Sequence, residues 1–315
     1  MESARDVPTH PPSLQELGLR LDPLTRVDAG ATARDLIRGA VARSTIRLVA
    51  KDPVIRLDED PEGVHDARVA VRRLRSDLRT FRPLLLRPWT ESLRAELEWL
   101  GGLLGQVRDA EVLQARLRGR IEALADAGMA SGKVLLDDLG ISEAQQRRRL
   151  LDAMGSERYR DLVEGLAEGS ERPRAEGSTV DDPAGSVGWL MDGPWRALAR
   201  GVRRLGSDPD DVSLHAVRIE AKRVRYAAEA FAPAFGRPAR RFGAAARKLQ
   251  DVLGDHQDAV VAASWLTERG VDAEERSVAF AAGRLTEHEL RERDRARDRW
   301  PMAWKRLERS KRFWR

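Results

Sequence analysis

Apolar residues recur along most of this chain at the spacing of a helical face, and few stretches alternate with the period of a strand. Residues 31–51 set Leu36, Ile37, Val41, Ile46 and Leu48 on one face, and Pro53 is expected to stop that helix. Residues 58–63 read as a turn. A second helix spans 64–82 and is closed by Pro83 and Pro88. Leu93, Leu97, Leu100 and Leu104 define a third helix over 91–104, with Gly105 as its expected C-terminal cap. Further helices are predicted over 109–125 and 133–154. After a stretch rich in Gly, Ser, Pro and acid, the pattern resumes over 189–205 and then in a helix running to Phe231. Helices over 238–253, 255–269 and 274–299 complete the set. The fold class is therefore all-α.

The helix over 64–82, VHDARVAVRRLRSDLRTFR, has two adjacent faces. At about 100° per residue, Ala67, Ala70, Val71, Leu74, Leu78 and Phe81 fall in one sector, an ordinary core face. His65, Arg68, Arg72, Arg75, Arg79 and Arg82 fall in the next, which contains no carboxylate. The chain writes this stripe twice. Residues 214–225, LHAVRIEAKRVR, align without a gap on residues 64–75. His65 matches His215, Arg68 matches Arg218, Arg72 matches Lys222, Arg73 matches Arg223 and Arg75 matches Arg225. The apolar pairs Val69/Ile219, Leu74/Val224 and Phe81/Phe231 match too. Downstream, LLGQVRDA (103–110) aligns with VLGDHQDA (252–259), pairing Gly105 with Gly254 and Asp109 with Asp258. The chain reads as two versions of one helical unit. The expected organisation is a loose N-terminal arm over 1–30, a first helical half over 31–167, a linker over 168–188, and a second half with a basic tail over 189–315.

Composition narrows the chemistry. The 315 residues contain no cysteine, which excludes disulfides and thiolate metal sites and suits a reducing cytoplasm. No apolar run is long enough to span a bilayer, and the first residues lack a signal-peptide core. Charged residues make up 34% of the chain but net charge is only +5, so the positive character that matters is local. Residues 291–315 carry 11 Lys/Arg against 4 Asp/Glu, with Trp300, Trp304 and Trp314; docking of the tryptophans on the body is expected rather than a dedicated binding arm.

A row of cations on one helical face repels itself, and a fold accepts that where an anion comes to sit. Arginine presents a fork to phosphate oxygens, lysine a point charge, and histidine a hydrogen bond or a proton-dependent charge. The matched motifs, VHDARVAVRRLR with LLGQVRDAEVL and LHAVRIEAKRVRYAAEAFAPAFG with KLQDVLGDHQDAV, resemble the CHAD family of conserved histidine α-helical domains. The resemblance covers nearly the whole chain from residue 31. It implies two four-helix bundles related by a pseudo-two-fold axis, with a basic channel that binds inorganic polyphosphate. Carried over by position, the binding residues are His65, Arg68, Arg72, Arg73, Arg75, His215, Arg218, Lys222, Arg223, Arg225 and Lys248, to which the stripe adds Arg79. Trp99 stands in the first half where Lys248 stands in the second, and Glu229 stands in the place of Arg79, so the second stripe ends sooner. Partners implied are polyphosphate and proteins of polyphosphate granules, and the place implied is the cytoplasm at such granules. No cofactor and no metal is expected.

The wheel alone leaves Arg73 and Arg223 open between ligand and salt bridge, because both lie off the stripe. Asp109 and Asp258 are expected in the first turn of a helix, favouring its dipole or holding a stripe arginine, rather than in catalysis. Two other functions are weighed. The His65-Asp66 pair resembles the HD pair of metal phosphohydrolases, but Asp66 becomes Ala216 in the repeat, clustered arginine repels a divalent ion, and no Gly-rich phosphate loop exists, so no enzyme is expected. A nucleic-acid binder would want exposed aromatics among the charges. The stripes offer only Phe81, Tyr226 and Phe231, and both phenylalanines fall on the apolar face.

Overall fold

The computed structural model describes residues 13, 15–17, 30–58, 60, 62–122 and 126–315. Most of the arm assigned to residues 1–30 lies outside them, as do residues 59 and 61 of the turn after the first helix. Among the described residues there are nine α-helices and no strand: α1 (Ala33–Leu57), α2 (Gly63–Thr80), α3 (Arg87–Ile121), α4 (Asp126–Met154), α5 (Glu157–Glu171), α6 (Asp192–Arg204), α7 (Asp211–Phe235), α8 (Arg237–Val271) and α9 (Arg276–Glu308). The all-α class holds.

Several boundaries differ from the expectation, each for a local reason. Pro53 does not end α1. Beyond it Ile55 is buried, and Arg56 donates to Asp52 at 2.6 Å and to the Met154 carbonyl at 2.6 Å, holding the last turn until Asp58 closes it with φ +57°. Gly105 and Gly254 are not caps. Neither has positive φ, and α3 and α8 run straight through them, so each merges two expected helices. Asp109 and Asp258 are consequently mid-helix, not first-turn residues. The helix α5, opened by Ser156 accepting from the Tyr159 N–H, was not expected at all.

The chain forms two compact units. Unit 1 comprises Met1–Arg108, Gln146–Leu190 and Ala230–Gly236; unit 2 comprises Asp109–Gln145, Met191–Glu229 and Arg237–Arg315. Helices α3, α4 and α7 therefore each contribute to both. In unit 1, α1 packs on α2 and α5. All six residues of the predicted apolar sector of α2 are completely buried there. Phe231, from the last turn of α7, meets Phe81 edge-on at 5.5 Å. Residues 168–188, read as a linker, are packed rather than loose: Val180 and Val187 are fully buried. The Ala33 N–H donates to the Asp182 carbonyl at 2.8 Å, and the Leu86 N–H to that of Arg174 at 2.8 Å.

Unit 2 gathers the C-terminal part of α3, the first part of α4, α8 and α9 around Leu117, Ile121, Leu135, Leu139, Leu266 and Leu285. The tail folds onto the same unit. Trp195 stacks on Trp304 at 5.7 Å, Phe242 meets Trp314 at 5.0 Å, and Trp314 Nε1 donates to Asp192 at 2.9 Å.

Candidate functional site

The first basic row lies in unit 1. Burial of Ala67, Ala70, Val71, Leu74 and Leu78 fixes the rotation of α2 and so aims the neighbouring sector. Helix α3 approaches closely, because a Cβ at Gly101 would sit only 3.2 Å from Val71 Cγ1. Gly105, about one turn further on, gives Arg68 room: Arg68 Nη1 donates to the Gly105 carbonyl at 3.4 Å. Helix α3 also adds its own cations. Burial lowers His65 below the ordinary histidine range; the charges of Arg108 and Arg72 push the same way, and Glu62 and Asp66 oppose them. Burial likewise lowers Arg94, with Arg79, Arg75 and Arg82 reinforcing it and Glu98 opposing. The row is thus a two-helix cluster, with Arg94 and Arg108 of α3 facing the stripe of α2.

Not every member is equally available. Arg75 pairs with Glu98 at 2.8 Å, a carboxylate that is itself mostly exposed. Arg73 turns toward α1, where its charge and that of Asp77 both act on the half-buried Arg43. Arg79 is exposed near the end of α2. Asp66 of the HD pair is engaged by Lys51 at 3.0 Å, and among the described residues no group of three or more His, Asp or Glu is placed to hold a metal ion.

The second row lies in unit 2, on α7, and faces α8. His215 Nδ1 lies 2.6 Å from Gln257 Oε1. An amide oxygen only accepts, so Nδ1 carries the proton and Nε2 is left for an outside partner. Arg218 lies across Gly254 as Arg68 lies across Gly105. Asp258 is half-buried, and desolvation raises its carboxyl above the ordinary range; Arg218, Arg116 and Lys222 pull it back down. It is placed to hold those cations together. Arg223 pairs with Glu220, one helical turn back. Arg225 is only 11% exposed and donates to Glu229 at 2.8 Å and to Gln250 at 3.0 Å. Lys248 is exposed on α8.

The CHAD domain model matches residues 39–267 of this sequence, most of its length and both motif pairs. The chain belongs to the CHAD family. A crystal structure of the CHAD domain from the plant Ricinus communis resembles it with a TM-score of 0.70 at 26% identity, over 91% of this chain and 95% of that one. PptA from Streptomyces chartreusis shares the fold, with a TM-score of 0.73 at 22% identity over 87% of this chain and all of that one. Two curated proteins of Mycobacterium tuberculosis, from strains CDC 1551 and H37Rv and both described as uncharacterized, are each 29% identical over 288 residues, 88% of this chain. The chain spans about half the length of these relatives, 54%.

Within this CHAD domain, four residues near the rows escaped the sequence reading. Arg108 and Gln257 occupy one aligned position in LLGQVRDA and VLGDHQDA, and each stands beside its row's histidine. That coincidence was available in the sequence. Arg94 required knowing that α3 lies along α2. Arg116 lies on α3, beyond the point where that helix passes into unit 2, so it joins the second row rather than the first. No spacing rule anticipates that.

Proposed function

We propose that this CHAD protein binds inorganic polyphosphate without turning it over, through the histidine-led rows of α2 and α7. The observation that carries the reading is the crowding of cations around His65. Burial and the charges of Arg108 and Arg72 hold the imidazole below its ordinary range, so the free protein maintains a site in which further positive charge is disfavoured. A dense polyanion reverses that cost. In unit 1 the phosphates lie along His65, Arg68, Arg72, Arg94 and Arg108. In unit 2 they lie along His215, Arg218 and Lys222, with Arg116 and Asp258 behind. Arg73, Arg223 and Arg225 serve the scaffold. Residence at cytoplasmic polyphosphate granules, beside their proteins, follows from such affinity.

Nucleic acid fits the rows less well. Phe81 and Phe231 are completely buried and Tyr226 nearly so, which leaves no phenylalanine or tyrosine ring of either row for a base to stack on. The test is a titration with polyphosphate of several lengths at rising salt, with duplex DNA as competitor and phosphate release followed with added magnesium or manganese. Binding should weaken steeply with salt, by nearly one power of the salt concentration per contact if polyphosphate behaves as DNA does. DNA should compete poorly and no phosphate should be released. Salt-independent binding, or efficient competition by DNA, contradicts the reading.

A further inference from the structure

Unit 2 holds a groove along α9 that neither row uses. Its walls include Arg120 of α3 and Phe280, Arg284, His288 and Arg291 of α9, with Leu285 on the floor. Phe280, Arg284 and His288 follow one another at four-residue spacing, so a single helical face carries ring, guanidinium and imidazole in order. The Phe280 ring is 69% exposed, a large apolar surface left in water at the mouth of a charged groove. Among the described residues Arg284 pairs with no carboxylate, whereas Arg291 is occupied by Glu287 at 2.9 Å.

Behind the wall stands Glu289, fully buried. It accepts from Arg116 Nε at 2.7 Å and lies 3.6 Å from Arg120 and 3.9 Å from His288. Its Oε1 lacks a hydrogen-bond partner. One buried carboxylate therefore keeps a guanidinium and an imidazole, Arg120 and His288, at the edge of the groove. A bare phosphate chain would satisfy them and leave the ring uncovered. A ligand that satisfies both has a flat apolar part at one end and phosphate at the other. At 1.5 Å per residue, Phe280 and His288 are about 12 Å apart along the axis, a span that base, ribose and phosphates fill.

We propose that this groove is a second binding site, taking a nucleoside phosphate with its base on Phe280 and its phosphates on Arg284, Arg120 and His288. Stacking on a phenylalanine accepts any base, so the site reads the nucleotide class rather than one nucleobase. Arginine forks hold the phosphates. The proposal is independent of the rows.

The experiment is a calorimetric titration of the full chain with magnesium-free ATP. Three variants are compared with the parent: Phe280→Ala, Arg284→Gln, and Arg218→Gln combined with Lys222→Gln. Circular dichroism verifies the fold of each. Phe280→Ala should weaken ATP binding about tenfold, the loss of one stacked base, and leave long-chain polyphosphate binding unchanged. Arg284→Gln should weaken ATP, and the row variant should not. The proposal is overturned if ATP does not bind, if Phe280→Ala and Arg284→Gln bind it as the parent does, or if only the row variant loses it. The last outcome would mean that the nucleotide merely lays its phosphates on α7.

Discussion

Arg218 lies across Gly254: a Cβ carbon on that glycine would sit 3.7 Å from both Nε and Nη2 of the guanidinium. In unit 1, a Cβ on Gly105 would sit 3.8 Å from Arg68 Nη2. Both glycines are mid-helix, where glycine is costly relative to alanine, and neither needs a left-handed backbone. What each supplies is space beside a row arginine. A methyl group at 3.7 Å is ordinary contact, and a longer side chain is not. Gly254→Ala should therefore stabilise the protein by about 0.5–1 kcal/mol and leave polyphosphate affinity unchanged. Gly254→Leu should displace Arg218 and weaken binding, while denaturant melts show a folded protein.

The environment of His65 makes binding depend on pH. In the free protein, burial and the charges of Arg108 and Arg72 disfavour the imidazolium, with Glu62 and Asp66 opposing. A bound phosphate favours it. Binding thus takes up a proton, and affinity should rise as pH falls below about 7, until free His65 itself protonates. His65→Gln should remove most of this rise, as measured by titrations at matched ionic strength.

Stability should run the other way. Burial holds His256 below the ordinary histidine range against the pull of Asp211, and Arg297 and Arg293 add to the lowering. A histidine that refuses a proton in the fold and accepts it when unfolded destabilises the fold in acid. The stability of the neutral form is fully present above the unfolded value of about 6.5 and is lost as pH falls from there to the folded value. His65 has the same sign. Melting temperature should drop from about pH 7.5 to about pH 5.5, and His256→Gln should flatten the drop while lowering stability at neutral pH through the lost contact with Asp211, 3.1 Å away.

Much of this was legible in the sequence. The α class, the rotation of α2 and the burial of Leu74, Leu78 and Phe81 all follow from helical periodicity, because one core face fixes the direction of the others. Helix ends were less legible. Gly105 and Gly254 carry the local signature of a cap, and only the arginine lying across each shows why glycine is there. Pro53 lacks one donor yet is outweighed by the contacts of Arg56, one of them made to Met154, far along the chain. Among the site residues, membership of a stripe did not foretell availability. Arg75 and Arg225 align, but Arg75 meets an exposed Glu98 whereas Arg225 is enclosed by Glu229 and Gln250.

That difference is testable. Arg225→Ala would leave the half-buried Glu229 without one of its cations, while Arg247 stays 3.0 Å away. Removing one partner of a buried pair costs about 3–5 kcal/mol, and the partial exposure here brings the expectation to roughly 2–3 kcal/mol. Arg75→Ala, losing a pair with an exposed carboxylate, should cost less than about 1 kcal/mol. Chemical denaturation of the two variants compares them directly.

The central claim is that the rows bind and the core holds. It is tested most directly by replacing Arg72 and Lys222, one in each row, with glutamine and titrating the variant with long-chain polyphosphate while following its melting temperature. Each lost charge-assisted hydrogen bond is worth about 1.5–3 kcal/mol, so affinity should fall by roughly 100-fold or more, and the salt dependence should become shallower by nearly two contacts' worth. The melting temperature should stay close to that of the parent, because the apolar faces of α2 and α7 are untouched. A variant that binds polyphosphate as the parent does, or one that loses binding only because it has lost its fold, would contradict the account.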